Sequence, residues 1–139
     1  TAHRTVPLDW TDYNGHMTEA RYLHAFADAT DRFMTIIGCD AEYIASGGSY
    51  FTAETHIRHV DEVHAGAVIT IRTRVVLGEG KKMHLFHEMR VAGTPKATGC
   101  TSVWIPAGPR HPPLTSRLRW RVLPKATRRC PRLTGWAAP

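Results

Sequence analysis

The chain has 139 residues, 42% of them hydrophobic, which is enough for one ordinary core but not for two. No apolar run approaches the roughly eighteen residues that a membrane-spanning helix requires, and the opening TAHRTVPLDW lacks the basic-then-apolar layout of a secretion signal. These observations exclude a membrane protein and predict one soluble, cytoplasmic domain.

The net charge of +6 is unevenly distributed along the chain. Residues 1–100 carry ten Lys/Arg and all twelve Asp/Glu, whereas residues 101–139 carry eight Lys/Arg and no acid. Residues 106–139 also hold seven of the nine prolines and show no periodicity. We predict a structured domain at 1–105 and an irregular basic tail at 106–139. The tail is explained either by a reading-frame shift in a GC-rich gene or by genuine divergence.

The first predicted elements are a short strand, RTVPL at 4–8, and a long helix at 17–37. The helix prediction rests on an apolar face repeated at intervals of three and four residues, made of Tyr22, Phe26, Ala29, Phe33 and Ile37. The Asn-Gly pair in NGHMT indicates a turn before it, Thr18 or a neighbour can cap its first amides, and Gly38 ends it.

Strand-like segments fill the rest of the domain. Alternation and β-branched residues predict strands at 51–60, 67–77 and 82–92, and KATGCTSVWI at 96–105 is a candidate last strand. The connections VDEVHAG, GEGK and AGTPK are short, which favours hairpins between consecutive antiparallel strands. The predicted fold is α+β, a long helix covering one face of a curved antiparallel sheet.

Four strings of the sequence carry a resemblance to a known family: DWTDYNGHM, EARYLHAFADATD, SYFTAETHIRH and GEGKKMHLFHEM. The D-x-x-G-H pattern in DYNGH, followed by a long helix and a strand meander, resembles the hotdog-fold acyl-CoA thioesterases of the 4-hydroxybenzoyl-CoA type. Within that group the strings look most like the betainyl-CoA thioesterases of carnitine degradation. The resemblance spans residues 4–100 and implies a hotdog fold.

Two features depart from the family pattern. Asn usually follows the His by two residues, and this chain has Thr18 there, which keeps a polar capping side chain but removes an amide. The segment after ATG is rich in Arg, Pro and Trp instead of apolar and acidic residues, so the completion of the sheet at that edge is in question.

The opening stretch offers the groups that thioester cleavage needs. Asp12 could act as nucleophile or as general base on water, and the resemblance places the family's catalytic carboxylate there. Amides in the first helical turn, around Thr18 and Glu19, could polarise the carbonyl. Gly15 permits a tight turn, and His16 either binds the carbonyl or, as we favour, holds the turn.

Each of these residues also has a structural interpretation. An Asp before a helix, such as Asp12, is commonly a cap or turn former, and the longer strings are what favour catalysis. Asp9 lies outside the D-x-x-G-H spacing and suits a turn contact. Glu19 at a helix start is explained by the helix dipole alone.

Aromatic residues suggest how a betainyl group would be bound. Its quaternary ammonium donates no hydrogen bond and is best held by aromatic faces. Candidates for substrate contact are Trp10, Tyr13, Tyr50 and Phe51, with a core position as the alternative for Phe51. Glu54 either binds a cationic acyl group or faces solvent.

Phosphates of CoA call for basic residues at the mouth of the pocket, and the available ones are Arg58, Lys81, Lys82 and Arg90. Metal ligands are not predicted: in HIRH and HLFH the histidines are three apart on strands and point to opposite faces, and there is no C-x-x-C pair.

The sequence therefore predicts a cofactor-independent acyl-CoA thioesterase that hydrolyses a short acyl-CoA, with betainyl-CoA preferred. The resemblance implies a homodimer or a dimer of dimers whose sites are shared between subunits, and fusion to or association with carnitine dehydrogenase. The rival interpretation is an acyl-CoA sensor that binds without cleaving. No membrane or nucleic-acid partner is predicted, although Arg119, Trp120 and Arg121 interleave charge with an aromatic ring in the tail.

Overall fold

A computed structural model describes residues 1–105 of the protein; the predicted tail at 106–139 lies outside them. The described part contains five strands, two α-helices and one 3-10 turn. The strands are β1 (Ala2–Thr5), β2 (Phe51–His59), β3 (Val68–Glu79), β4 (Lys82–Val91) and β5 (Thr94–Trp104). The helices are α1 (Glu19–Ile36) and α2 (Ala41–Ala45), and the 3-10 turn is Leu8–Trp10. The long helix and the four main strands are confirmed, whereas α2 and the 3-10 turn were not predicted.

The sheet is antiparallel with strand order β1-β3-β4-β5-β2. β3–β4 and β4–β5 are hairpins as predicted, and the second turns at Ala92 and Gly93, both with positive φ (47° and 85°). The predicted hairpin at VDEVHAG is wrong, because β2 pairs with β5 rather than with β3. The length of the VDEVHAG connection alone does not distinguish a hairpin from a crossover between two strands that are not neighbours in the sheet. β5 lies inside the sheet, between β4 and the edge strand β2, so the part of the sheet that was in question is complete.

Helix α1 lies on one face of this sheet. It ends in a Schellman motif, in which the Gly38 amide bonds to the Thr35 carbonyl (3.1 Å) and the Cys39 amide to the Met34 carbonyl (2.9 Å). Gly38 adopts φ +85°, which confirms it as the stop. No described helix is both long and apolar enough to span a bilayer.

The core has two clusters, one beneath each end of α1. The cluster under its first half includes Tyr22, Phe26, Met89 and Ala97, and the cluster under its last turns includes Met34, Met83, Leu85 and Val103. Buried and half-buried residues alternate along β4 and β5, so only one face of these strands packs on the helix. α1 has 18 residues and is therefore about 27 Å long, so its first and last turns lie over opposite ends of the strands.

One polar residue, His87 on β4, is buried between the helix and the sheet with no exposed surface. Its Nε2 lies 3.1 Å from the Thr30 hydroxyl and its Nδ1 lies 3.0 Å from the Thr73 hydroxyl. The Thr30 hydroxyl donates to the Phe26 carbonyl, so it accepts from Nε2, and Nδ1 accepts from Thr73. Burial lowers the pKa of His87 to about 4, which keeps the ring neutral.

Candidate active site

The loop before α1, residues 9–18, is closed by its own backbone. The Asp12 amide donates to the His16 carbonyl (3.0 Å), the Gly15 amide donates to the Asp12 carbonyl (2.9 Å), and Thr11 forms an antiparallel bridge with Met17. Gly15 adopts φ +77°, a conformation that side chains disfavour. The tight turn predicted for this stretch is confirmed, and we call residues 9–18 the Asp12 loop.

The Asp12 side chain is exposed and bonded on one side only. Its Oδ1 accepts hydrogen bonds from the Asn14 amide (2.8 Å) and the His16 amide (3.4 Å), which is an Asx-type turn. Within residues 1–105, Oδ2 has no hydrogen-bond partner. Asp12 therefore does form the turn, as its structural interpretation required, yet it keeps one carboxylate oxygen free to accept a proton.

The first turn of α1 presents unpaired amides next to this loop. Thr18 is the N-cap by its backbone conformation, but its hydroxyl makes no capping bond. Its own amide donates to the Trp10 carbonyl (2.9 Å) and is not available to a substrate. The amides without a partner among the described residues are those of Glu19 and Ala20. Of the pair named from sequence, Thr18 and Glu19, only the Glu19 amide lacks a partner among the described residues, and its role toward a carbonyl stays a prediction.

His16 is half-buried and points away from the Asp12 carboxylate toward the β2–β3 connection. Its Nε2 lies 3.3 Å from the Glu62 carboxylate, and its ring lies edge-on to His64 at 4.9 Å. The Met17 amide donates to the Val63 carbonyl (2.7 Å) beside this contact. His16 thus ties the Asp12 loop to the β2–β3 connection, and its supporting role in the site stays a prediction. Sequence reasoning missed Glu62 and His64, because they are distant along the chain and match no motif.

Trp10 lies in the core cluster with only 3% of its surface exposed. Its ring faces the Arg4 guanidinium at 4.1 Å and the Arg21 guanidinium at 5.5 Å, and His24 packs on it edge-on. Trp10, a candidate for substrate contact, is therefore a core residue of this protomer. Its aromatic face already binds cations supplied by the chain itself.

The other aromatic candidates lie at opposite ends of α1. Tyr13, in the Asp12 loop, is 97% exposed. Tyr50 packs against the core cluster under the last turns of α1, and Phe51, 53% exposed, pairs with Trp104 at the same end. One protomer does not bring Tyr13 together with Tyr50 and Phe51.

Glu54 and Arg58 both lie on the sheet face that α1 does not cover. Glu54 pairs with Ser102 and Arg58 with Thr98, and these β5 residues alternate with the buried ones that face the helix. Glu54 is half-buried near the end where α1 finishes, whereas Arg58 is exposed near the end where α1 begins.

The remaining basic candidates also separate. Lys81 and Lys82 are exposed in and after the β3–β4 turn, with the Lys82 ammonium 5.3 Å from the Trp104 ring. Arg90, at the other end of β4, donates to Glu88 and to the Gly93 carbonyl, both at 2.9 Å. The hydrogen bond from Arg90 lowers the pKa of Glu88. Arg90 is thus engaged by its own strand and turn, and Lys81 and Lys82 are the freer cations.

A curved antiparallel sheet with one long helix on it, and a polar loop leading into that helix, defines a hotdog-fold protein. Residues 6–106 match the Thioesterase-like superfamily, and the chain belongs to this family.

Known relatives agree with this assignment. Over 99 residues, 71% of this chain, it is 70% identical to L-carnitine dehydrogenase/betainyl-CoA thioesterase of Ruegeria pomeroyi, and it spans 20% of that protein's length. It is 35% identical to betainyl-CoA thioesterase of Pseudomonas aeruginosa over 88% of this chain and 80% of the relative. A crystal structure of a candidate thioesterase from Pseudomonas putida KT2440 superposes with a TM-score of 0.76, at 31% identity, covering 100% of this chain and 94% of the other. The hotdog fold predicted from the four strings is confirmed.

Proposed function

We propose that the protein hydrolyses a short acyl-CoA thioester, with betainyl-CoA as the preferred substrate, to the free acid and CoA without a cofactor. The observation that carries this proposal is that, within residues 1–105, Asp12 Oδ2 and the amides of Glu19 and Ala20 have no hydrogen-bond partner, and all of them lie at the start of α1. The relatives named as betainyl-CoA thioesterases support the substrate.

In the proposed reaction a water molecule attacks the thioester carbonyl while Asp12 Oδ2 accepts its proton. The negative charge on the carbonyl oxygen is stabilised by the Glu19 and Ala20 amides at the positive end of the α1 dipole. Collapse of the tetrahedral intermediate breaks the C–S bond, and the proton passes from Asp12 to the CoA thiolate. Direct attack by Asp12, followed by hydrolysis of the anhydride, uses the same groups.

Supporting residues hold this arrangement in place. The positive φ of Gly15 lets the loop close, and the contact of His16 with Glu62 ties the loop to the β2–β3 connection. The Glu19 side chain contributes only its favourable charge at the helix start.

The acyl and CoA sites are proposed to need two protomers. Tyr50, Phe51, Lys81 and Lys82 lie at the far end of α1 from Asp12, so Tyr50 and Phe51 are too distant to contact a short acyl group held at Asp12 of the same chain. A second copy related by a two-fold axis can bring its far end to the Asp12 loop. The exposed Tyr13 would then face the partner's aromatic residues around the quaternary ammonium.

The wider setting follows from the relatives. Because a relative of 70% identity carries a dehydrogenase name as well, we propose that this domain acts in the cytoplasm in fusion or association with an L-carnitine dehydrogenase. Such an association would place cleavage of the betainyl thioester next to carnitine oxidation.

The test of the active site is Asp12→Asn with Asp9→Asn as control. The amide oxygen of Asn preserves the acceptor for Asn14, so the turn survives while the base is lost. We expect Asp12→Asn to lower kcat for betainyl-CoA at least about 100-fold, with Tm unchanged. Asp9→Asn, an equally exposed acid outside the pattern, should keep the parental rate. Parental turnover in Asp12→Asn would refute the mechanism.

A panel of betainyl-CoA, acetyl-CoA and 4-hydroxybenzoyl-CoA, followed by thiol release, tests the substrate. Release from betainyl-CoA alone supports the cation-binding aromatics, and release from the others alone rejects them. Tight binding of CoA esters with no thiol release would instead establish the sensor interpretation.

The shared site is tested by mixing Asp12→Asn with Phe51→Ala, which we expect to lose activity through the missing aromatic contact. If Asp12 of one protomer works with Phe51 of its partner, mixed dimers contain one intact site, and about a quarter of the parental activity should return after subunit exchange. If mass spectrometry verifies that subunits exchange but no activity returns, Asp12 and Phe51 do not act together across the dimer interface.

A further inference from the structure

The Asp12 loop and the β2–β3 connection bring together two imidazoles and a carboxylate. The potential ligand atoms of His16, Glu62 and His64 all lie within 4.8 Å of one another. His16 Nε2 lies 3.3 Å from Glu62 Oε2, and His64 Nε2 lies 3.6 Å from Glu62 Oε1. We call these three residues the His–Glu–His cluster.

The backbone sets the positions of the cluster. His16 and His64 are partners in an antiparallel bridge, and the neighbouring Met17 amide bonds to the Val63 carbonyl. Paired residues in such a bridge place their side chains on the same side, close together. The two histidines are therefore held together by main-chain contacts between segments almost fifty residues apart in sequence.

The tautomer of His64 is fixed in a form suited to metal binding. Its Nδ1 lies 3.2 Å from the Gly15 carbonyl oxygen, which can only accept, so Nδ1 carries the proton. In the neutral ring Nε2 is then the nitrogen that can bind a metal ion, and it is the atom that lies nearest Glu62. A histidine that donates one ring N–H to a carbonyl and offers the other nitrogen is the usual arrangement around protein-bound metal ions.

We propose that the His–Glu–His cluster binds a divalent transition-metal ion of the Zn²⁺ class, through His16 Nε2, His64 Nε2 and a Glu62 carboxylate oxygen. Two imidazoles and one carboxylate are a recognised zinc ligand set that leaves a position for water. The ligand atoms of a tetrahedral zinc site lie about 3.3 Å apart. The two shorter distances here are already close to that value, and side chains 39–60% exposed are free to make the remaining adjustment.

The proposed ion would join the Asp12 loop to the β2–β3 connection through side chains as well as backbone. His16 would remain the anchor of the loop, now through the metal, and Asp12 would stay outside the coordination sphere with its Oδ1 bonded to Asn14. Asp12 and the amides of Glu19 and Ala20 are not ligands of the proposed ion, so metal binding can be measured separately from thioesterase activity.

Calorimetric titration of the full chain with ZnCl₂, and absorption spectroscopy with Co²⁺, test the proposal after the protein has been freed of metal. We expect one equivalent bound to the parental protein and affinity at least about ten-fold lower in Glu62→Gln and in His64→Ala. Glu62→Gln preserves the size of the side chain and so protects the fold if His64→Ala loosens the loop.

Matched controls are Glu42→Gln and His56→Ala, which remove an exposed residue of each type outside the cluster. Both should bind the ion as the parental protein does. Absence of binding in the parental chain would overturn the proposal. So would parental affinity in Glu62→Gln and His64→Ala, because the ion would then be held by other groups of the chain.

Discussion

Histidines occupy two opposite environments in this protein. His87 is enclosed between α1 and the sheet, with a hydroxyl on each ring nitrogen, whereas His16 and His64 lie on the surface around one carboxylate. In the interior, both nitrogens are satisfied by the protein and the ring is held in one tautomer. At the surface, Nδ1 of His64 contacts the Gly15 carbonyl, and Nε2 faces the Glu62 carboxylate, where the proposed ion would bind. The residue type is shared, but burial and partners make one a structural element and the others a candidate binding site.

The interior environment predicts a loss of stability in acid. Burial lowers the pKa of His87 from 6.5 to about 4 in the folded protein. Between these two pH values the unfolded chain therefore binds a proton at His87 that the folded protein does not bind. As the pH falls from 6.5 to 4, the free energy of unfolding should decrease by up to about 3 kcal/mol. Denaturant unfolding at a series of pH values measures this change.

The matched variant is His87→Leu, which fills the same space without a titrating group. Its stability should depend much less on pH between 6.5 and 4.5. The Asp61 and Glu88 carboxyls, whose pKa values are lowered by hydrogen bonds from Lys96 and Arg90, also lose stability in acid, but only as the pH falls below that window. An unchanged slope in His87→Leu would assign the acid sensitivity to other groups.

The packing around His87 predicts a second, smaller effect. The Phe26 ring stacks on His87 at 5.5 Å, and a Cβ added at Gly99 on β5 would lie 2.9 Å from Phe26 Cδ2. Because Phe26 is only 1% exposed, its ring has little room to move. Gly99→Ala should therefore destabilise the protein by about 1–3 kcal/mol.

Thermal unfolding of Gly99→Ala is compared with that of Thr98→Ala. The comparison separates steric overlap with Phe26 from the general effect of a substitution in β5. Thr98 is on the opposite face of the strand and away from Phe26. Its replacement should cost less than Gly99→Ala. Equal losses would contradict the tight contact with Phe26.

The sequence predicted those helices and strands that have a periodic pattern of apolar residues within their own segment. The apolar face from Tyr22 to Ile37 predicted α1, and alternation predicted the four main strands, with boundaries within about two residues. The strand order was not predictable in the same way, because a seven-residue connection does not reveal whether the next strand is a neighbour. β5 inserts between β4 and β2, and that choice depends on contacts across the whole sheet.

For the candidate site, sequence predicted the Asp12 loop but not its neighbours. Asp12, Gly15 and His16 form one motif, so their proximity follows from their spacing. The burial of Trp10 beneath Arg4 and the meeting of His16 with residues of the β2–β3 connection are long-range contacts, and no local pattern indicates them. Tyr13 and Phe51 lie at opposite ends of α1, and this separation depends on how the helix packs on the sheet, which no local pattern indicates.

The smallest predicted loss of stability is at Gly15, in the exposed Asp12 loop beside the His–Glu–His cluster. Its φ of +77° is costly for a residue with a Cβ, but no atom lies within 4 Å of the position that the Cβ would take. Gly15→Ala should therefore lose about 1–2 kcal/mol through backbone strain alone. Gly15→Asn should lose less, because Asn tolerates this conformation better. Chemical denaturation of both variants checks the order. If Asn costs as much as Ala, the positive φ does not determine the penalty, and the explanation by backbone strain is wrong.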